Sequence, residues 1–194
     1  MQPESEQFQS AIEKFDAANA QDPTLVAGIP AELVYARRMT DWLRRLYPDA
    51  GESLQLAARA QHIRRWMIPR SRYPMNRAGY HQWRTSLYAF HADQAGKILR
   101  EVAYDDATIA PVQSLLRKEK LKSDPDTQTL EDVACLVFLE NYLADFAPKH
   151  EEKKVIDILR RTWKKMSDQG RAAAIGLPLS PEVARLVQIA LSAE

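Results

Sequence analysis

The sequence predicts an all-α protein. Apolar residues recur at spacings of three and four, the period of one helix face, along most of the chain. No stretch alternates apolar and polar residues between turn signals for long enough to indicate a strand. Most prolines fall between periodic stretches or where a first helical turn tolerates them. With 194 residues, 45% of them hydrophobic, the chain is expected to form a single compact domain with one core.

The periodic stretches give the order of the helices. Phe8, Ile12 and Phe15 share one face of the first helix, and Leu33 and Trp42 belong to the apolar face of the second. Helices are therefore expected near residues 5–20, 30–46, 52–66, 79–103, 106–120, 127–146, 150–167 and 181–193.

The C-terminal third contains two distinctive stretches. Residues 127–146 are apolar nearly all round, which is typical of a buried central helix. Residues 168–180 contain two glycines and a proline, and they are expected to be a non-helical connection. Ser180 is a suitable N-cap for the last helix, since Pro181 and Glu182 favour its first turn.

The charges are unevenly distributed. Residues 53–92 contain seven arginines and three of the four histidines, without a lysine or an acidic residue. Arginine offers a planar fork of donors that matches carboxylate and phosphate oxygens. The rest of the chain carries an acidic excess, although the formal net charge is only +1. The stretch therefore predicts recognition of an anion.

Several classes of protein are disfavoured. The chain has neither of the glycine-rich phosphate loops, so classical NAD or P-loop ATP binding is not expected. The single cysteine, Cys135, cannot form an intramolecular disulfide, and no run of about 18 apolar residues indicates a membrane span. Met1–Gln9 has no signal-peptide pattern, and a cytoplasmic location without membrane association is expected.

Two predicted helices bring imidazole and guanidinium groups together. On helix 52–66, Arg59, His62 and Arg65 lie along one side, because each is three residues from the next. On helix 79–103, Arg84 and His91 fall on a shared stripe, and His91 borders the apolar face. These side chains could line an interior site.

Asp132 lies among apolar residues on helix 127–146, where a carboxylate needs a cation, hydrogen-bond donors or a metal. One hypothesis joins His62, His91 and Asp132 in a divalent metal site, with Glu131 beside it. The other pairs Asp132 with Arg59 or Arg65 in the core and gives the histidines no special role.

Residues 68–78 read as an ordered loop stiffened by prolines. Arg70, Arg72 and Arg77 lie on it, and they could close over an anionic ligand as a lid. The later run of Arg117, Lys118, Lys120 and Lys122 is interpreted mostly as a solvated helix end, with RNA contact as the alternative.

Nearly the whole chain resembles an uncharacterised family, domain of unknown function 4202. The resemblance is carried by residues 35–40 (YARRMT), 57–66 (AARAQHIRRW), 90–92 (FHA) and 130–140 (LEDVACLVFLE). This family implies no settled activity.

Residues 33–145 more remotely resemble the HD superfamily of metal-dependent phosphohydrolases, an all-helical fold. Tyr35 stands in place of that family's first histidine, and Gln61-His62 replaces its His-Asp pair. His91 matches a region where some members supply a further histidine, and Asp132 matches the last aspartate. The resemblance implies an HD-like core at about 33–145, with helices of 150–194 packing on it. It also implies a divalent metal and hydrolysis of a phosphate-containing substrate.

Two functions follow from these patterns. The first is a divergent metal-dependent hydrolase of a small phosphate-containing molecule, a nucleotide being one candidate. Its metal would be held by His62, His91 and Asp132, with Glu131 and Asp132 as catalytic residues. Its substrate would be held by Arg59, Arg65, Arg70, Arg72, Arg77 and Arg84. The alternative is a non-catalytic protein that binds an anion, or RNA, through the 53–92 surface.

Overall fold

The computed structural model describes residues 5–119, 121 and 123–192. Nearly all regular structure in this part of the chain is helical, so the predicted all-α class is confirmed. The chain divides into two compact units, residues 1–127 and 128–194. The grouping of residues 1–194 into one domain stays a prediction. Lys120, Lys122 and the two ends of the chain, where some of the expectations fall, lie outside the described residues.

The first unit is a group of helices with one small hairpin. Its elements are α1 (Glu6–Asn19), β1 (Leu25–Val26), β2 (Ile29–Pro30), α2 (Ala31–Leu46), α3 (Glu52–Ala60), α4 (Arg77–Glu101) and α5 (Asp106–Arg117), with short 3-10 helices at Arg65–Met67 and Arg70–Arg72. Helix α4 packs along α5, while α3 packs against α2 and α5. The apolar faces meet at fully buried side chains that include Phe15, Met39, Leu56, Leu99 and Ile109. The predicted faces of α1 and α2 are thus the ones that build the core.

The second unit contains the C-terminal helices. Its elements are most of α6 (Pro125–Asn141), α7 (Leu143–Phe146), a 3-10 helix (Ala147–Lys149), α8 (Glu152–Lys165), α9 (Asp168–Ile175) and α10 (Pro181–Leu191). Helix α8 packs against α10. The predicted helix 127–146 is interrupted at Tyr142, between α6 and α7. The predicted cap is confirmed, because the Ser180 hydroxyl accepts a hydrogen bond from the Val183 amide and Pro181 opens α10.

Helix α3 ends at Ala60, so the prediction that it continues to residue 66 is wrong. Arg64 has a left-handed backbone with φ of 53°, which costs a residue with a side chain on the order of 1 kcal/mol. The Asn19 side-chain oxygen accepts a hydrogen bond from the Arg64 amide at 3.0 Å and holds this conformation. His62 and Arg65 therefore lie on a turn and a 3-10 helix, and not on one face of a helix.

The hairpin was not predicted. Leu25 pairs with Pro30 and Val26 with Ile29, and both turn residues, Ala27 and Gly28, have positive φ. Two successive positive φ angles are the mark of a type I′ turn, which suits a two-residue connection. Strands of two residues are too short to show an alternating pattern in the sequence.

Helix α9 forms where a non-helical connection was expected, so that prediction is wrong for residues 168–175. The Ser167 hydroxyl caps the helix by accepting a hydrogen bond from the Gly170 amide at 3.1 Å. Gly170 is buried, and a Cβ there would lie 2.7 Å from Cγ of Asp132. Because Gly170 has no side chain, the backbone of α9 can lie close to the Asp132 side chain, and the glycine does not break the helix.

In the described part of the chain, no helix combines the length and the apolar character that a membrane crossing requires.

Candidate functional site

The candidate site of the first unit centres on the imidazole of His62. The ring stacks on Tyr35, with centroids 3.9 Å apart and 10° between the planes. Its Nε2 lies 3.0 Å from Nη1 of Arg65, and its Nδ1 lies 3.5 Å from Oε2 of Glu32. A guanidinium can only donate, so Nε2 is the acceptor and the hydrogen of the neutral ring is on Nδ1, facing Glu32.

The pKa of His62 lies well below its usual 6.5. Burial is the main cause, and the charge of Arg65 lowers the pKa further. His62 is therefore a neutral ring at physiological pH.

Glu32 is held against His62 by the segment that enters α2. The Asp22 carboxylate accepts hydrogen bonds from the amides of Thr24 and Glu32, at 2.9 and 3.0 Å. Burial raises the pKa of Glu32 to about 7, although Arg65, with Nε 4.0 Å from Oε1, opposes this shift. Glu32 is thus divided between its protonated and ionised forms near neutral pH.

Nothing in the sequence marks Glu32 as a site residue. An acidic residue in the first turn of a helix is an ordinary and favourable feature, because it interacts well with the helix dipole. No spacing links it to His62, which is thirty residues away. Glu32 and His62 come together only in the folded chain, because the left-handed turn after α3 places His62 over α2.

His91 is the second imidazole of the site, and its ring centroid lies 5.8 Å from that of His62. Its Nδ1 donates to the Ile63 carbonyl at 2.9 Å, so Nε2 is left as an acceptor. The side chain is 2% exposed, and Nε2 has no hydrogen-bond partner among the described residues. Burial lowers the pKa of His91 to about 3.

Cations surround the two rings. The charges of Arg65, Lys118 and Arg84 each lower the pKa of His62. The Arg65 guanidinium lies 4.8 Å from the centroid of Trp83, while Arg84 donates to the Tyr88 hydroxyl. Lys118 ends α5 with a left-handed backbone, and its Nζ lies 5.5 Å from the ring of Tyr88. We call Glu32, His62, Arg65, Arg84, His91 and Lys118 the His62 cluster.

The structure brings together His62, Arg65, Arg84 and His91 from the predicted site, but it gives Arg59 another role. Nε and Nη2 of Arg59 donate to the two carboxylate oxygens of Asp16 at 2.7 and 2.6 Å, and Nη1 donates to the Thr40 hydroxyl at 3.1 Å. Its fork is already occupied by a carboxylate of α1. Arg59 therefore serves to join α3 to α1 and α2.

The arginine-bearing loop, residues 68–78, is ordered, as expected, but its arginines differ in their contacts and exposure. Arg70 donates to the backbone carbonyls of Tyr73, Pro74 and Asn76, so its guanidinium holds the loop together. Arg72 and Arg77 are exposed. A Cβ on Gly79, at the start of α4, would lie 2.1 Å from the Pro74 carbonyl oxygen, which shows how closely the loop lies on that helix.

Asp132 and Glu131 belong to the second unit. The Asp132 carboxylate accepts hydrogen bonds from the Ser167 amide at 2.8 Å, from the Ser167 hydroxyl, and from the Gln128 side chain at 3.0 Å. Glu131 lies 3.4 Å from Nζ of Lys165. These donors satisfy the fully buried carboxylate of Asp132 within its own unit.

Of the side chains predicted as metal ligands, His62 and His91 belong to the first unit and Asp132 to the second. The lone pair of His62 is taken by Arg65, whose positive charge opposes a cation at the same nitrogen. His91 alone resembles a metal ligand, since its other nitrogen donates to a backbone carbonyl. No group of three or more His, Cys, Asp or Glu side chains in the described part of the chain is placed to hold a metal ion. The divalent metal stays a prediction.

The chain is thus an all-α protein whose first unit contains two neutral imidazoles beside cations, with His91 buried and His62 partly exposed. The family model described as Domain of unknown function (DUF4202) matches residues 9–187, so the chain belongs to that family. Comparison with curated proteins and with solved structures gave no match. The family description assigns no activity, and any function must be argued from the site.

Proposed function

We propose that the first unit binds a small phosphate-containing molecule, a nucleotide being one candidate, at the His62 cluster. One observation supports this most strongly: three cations bear on a single neutral imidazole. The carboxylate beside Arg65, that of Glu32, has a pKa of about 7 and so neutralises the guanidinium only in part. An entering anion would interact favourably with all three positive charges.

The groups of the cluster have complementary roles in this proposal. Arg65 and Arg84 offer the planar forks that suit phosphate oxygens, and Lys118 adds a point charge. The bare Nε2 of His91 can accept a hydrogen from a ligand hydroxyl or from a singly protonated phosphate. The side chains of Arg72 and Arg77 are candidates to cover the ligand from the loop.

Calorimetric titration with phosphate-containing small molecules tests the proposal. A charged hydrogen bond contributes roughly 1.5–3 kcal/mol, so Arg65→Gln and Arg84→Gln should each weaken binding about tenfold or more. Arg37→Gln is the matched control, because Arg37 is an exposed arginine on α2 with no contact to the cluster in the described structure. It should bind as the wild type does.

Two outcomes would contradict the proposal. One is that no member of the panel binds. The other is that Arg37→Gln weakens binding as much as Arg65→Gln, which would indicate general attraction to surface charge. RNA binding that falls steeply with added salt, without binding of small phosphates, would favour the RNA alternative instead.

A phosphohydrolase is the second candidate, and the pKa of Glu32 favours it. A carboxyl with a pKa of about 7, 3.5 Å from an imidazole, can hold or release a proton at neutral pH. If this is correct, Glu32→Gln should retain substrate binding and lose turnover. The assay is phosphate release from the same panel with Mg²⁺, Mn²⁺, Co²⁺ or Ni²⁺ added, and full turnover by Glu32→Gln would contradict this role.

The catalytic roles of Asp132 and Glu131 remain part of the hydrolase proposal. Lys165→Gln is informative, because it leaves Asp132 and its Ser167 contact unchanged while removing the cation near Glu131. A change in turnover without a change in stability would support a role for Glu131. A cytoplasmic location is also proposed, in keeping with a small anionic metabolite as ligand.

A further inference from the structure

A polar cleft lies in the first unit between α1 and α4, apart from the His62 cluster. It encloses about 190 Å³, and its charged lining residues are Lys14, Arg64, Lys97 and Glu101. None of these belongs to the His62 cluster. With three cations and one carboxylate, the cleft has a positive balance.

The backbone of Arg64 directs its side chain toward this cleft. Arg64 and Arg65 are adjacent, yet Arg65 contacts His62 whereas Arg64 donates from Nη1 to the Gln94 side chain of α4 at 3.0 Å. The left-handed conformation of Arg64 accompanies this divergence. A residue with a side chain rarely adopts that conformation, and such an outlier is a reason to look for a function.

The cations of the cleft are incompletely matched by acceptors. Glu101 is engaged by Lys14, with Nζ 2.9 Å from its carboxylate oxygen. The acceptor for Arg64 is a neutral amide, and its buried Nε has no hydrogen-bond partner among the described residues. Lys97 forms no ion pair in the part of the chain that the structure describes. The hydrogen bond from Lys14 lowers the pKa of Glu101 and the charge of Arg64 lowers it further, so the three cations of the cleft share one carboxylate.

We propose that this Arg64 cleft binds a small oxyanion, the phosphate or carboxylate group of a small metabolite, independently of the His62 cluster. The guanidinium of Arg64 and the ammonium of Lys97 would donate to the oxyanion from the two sides of Gln94. The volume suits inorganic phosphate or a ligand of a few carbon atoms, and it is smaller than the 300–1,000 Å³ of most drug-sized ligand sites.

Inorganic phosphate and acetate, at matched ionic strength, are the two probes. Binding is followed by NMR through the side-chain amide of Gln94 and the Nε–H of Arg64 in the full chain. Arg64→Asn removes the guanidinium but keeps a residue that tolerates the left-handed backbone, and it should weaken binding about tenfold or more. Lys97→Gln, at an exposed position that should not affect folding, should weaken binding about threefold or more. Tighter phosphate binding would identify a phosphate group as the ligand, and tighter acetate binding a carboxylate.

Matched controls separate the cleft from general charge and from the first site. Lys153→Gln removes an exposed lysine of α8 and should leave the Gln94 shifts unchanged. Arg65→Gln should also leave them unchanged, because Arg65 belongs to the His62 cluster. The proposal is overturned if neither probe saturates, if Arg64→Asn and Lys97→Gln bind as the wild type does, or if either control weakens binding equally.

Discussion

The imidazole of His62 lies face to face with the phenol ring of Tyr35, 3.9 Å away and only 10° from parallel. Tyr35 therefore covers one face of the neighbouring imidazole. The stack accounts for part of the burial that keeps His62 neutral.

Removing the stacked ring should therefore change both stability and titration. Tyr35 is 9% exposed, and Tyr35→Ala should cost about 3–5 kcal/mol of unfolding free energy. It should also raise the pKa of His62 toward 6.5, because water reaches the ring. Tyr35→Phe keeps the ring and should leave the pKa low. Histidine NMR titration checks this, and an unchanged pKa in folded Tyr35→Ala would contradict it.

Glu32 should make stability fall as the pH rises through its titration range. Its pKa is about 7 in the folded chain against 4.5 for the free side chain, so between these values only the folded state holds the proton. The contribution of Glu32 to the unfolding free energy should then decrease by about 1.4 kcal/mol per pH unit, or roughly 3 kcal/mol in all, and stay level above pH 7.

His91 acts in the opposite sense. Its folded pKa is about 3 against 6.5 when unfolded, so stability falls as the pH drops below 6.5. His62, whose pKa is also well below 6.5, adds to this loss. Between pH 4.5 and 6.5, Glu32 therefore offsets only part of the histidine slope. Glu32→Gln should make stability fall more steeply with decreasing pH in that window and abolish the loss between pH 6.5 and 7. Urea unfolding at several pH values measures this, and parallel profiles for the variant and the wild type would contradict it.

The ion pair between Asp16 and Arg59 should contribute to stability and not to ligand binding. Asp16→Ala leaves a guanidinium that is only 11% exposed without its carboxylate, and it should cost about 2–4 kcal/mol. Replacing both residues, as Asp16→Ala with Arg59→Met, should cost less than the single change. Urea unfolding measures the free energies. Loss of phosphate binding by the double variant, with binding retained by Asp16→Ala, would show that Arg59 is a ligand-binding residue after all.

Gly170 and Gly176 form a matched pair. Gly170→Ala places a Cβ 2.7 Å from Cγ of the buried Asp132, so the variant should lose about 1–3 kcal/mol despite the better helix propensity of alanine. At Gly176 the nearest atom to a new Cβ is 3.5 Å away, and Gly176→Ala should change stability by less than about 0.5 kcal/mol. Thermal unfolding compares the two, and equal midpoints would contradict the expected difference.

Periodicity predicted the all-α class and the core faces of α1 and α2, because burial along a helix repeats at a fixed interval. The metal-site hypothesis placed His62 and His91 together, and their ring centroids lie 5.8 Å apart, although the metal itself stays a prediction. The helix 52–66 behind that inference was nevertheless wrong. The contact depends on the turn at Arg64, which is held by Asn19 from a different helix.

Other parts of the site depend on contacts that sequence spacing does not encode. The carboxylate of Asp132 meets the Ser167 donors thirty-five residues away, and serine is too common to indicate such a partner. A left-handed arginine is equally hard to predict, since glycine or asparagine would be the usual choice at such a backbone conformation.

The near contact between Gly79 and the Pro74 carbonyl limits how the arginine-bearing loop can move. Its backbone rests on the first turn of α4 with no side chain between them. The loop backbone therefore cannot move any closer to that turn. Arg72 and Arg77 can instead reach a ligand by rotation of their long, exposed side chains, a change of rotamer on the nanosecond scale that leaves the main chain in place.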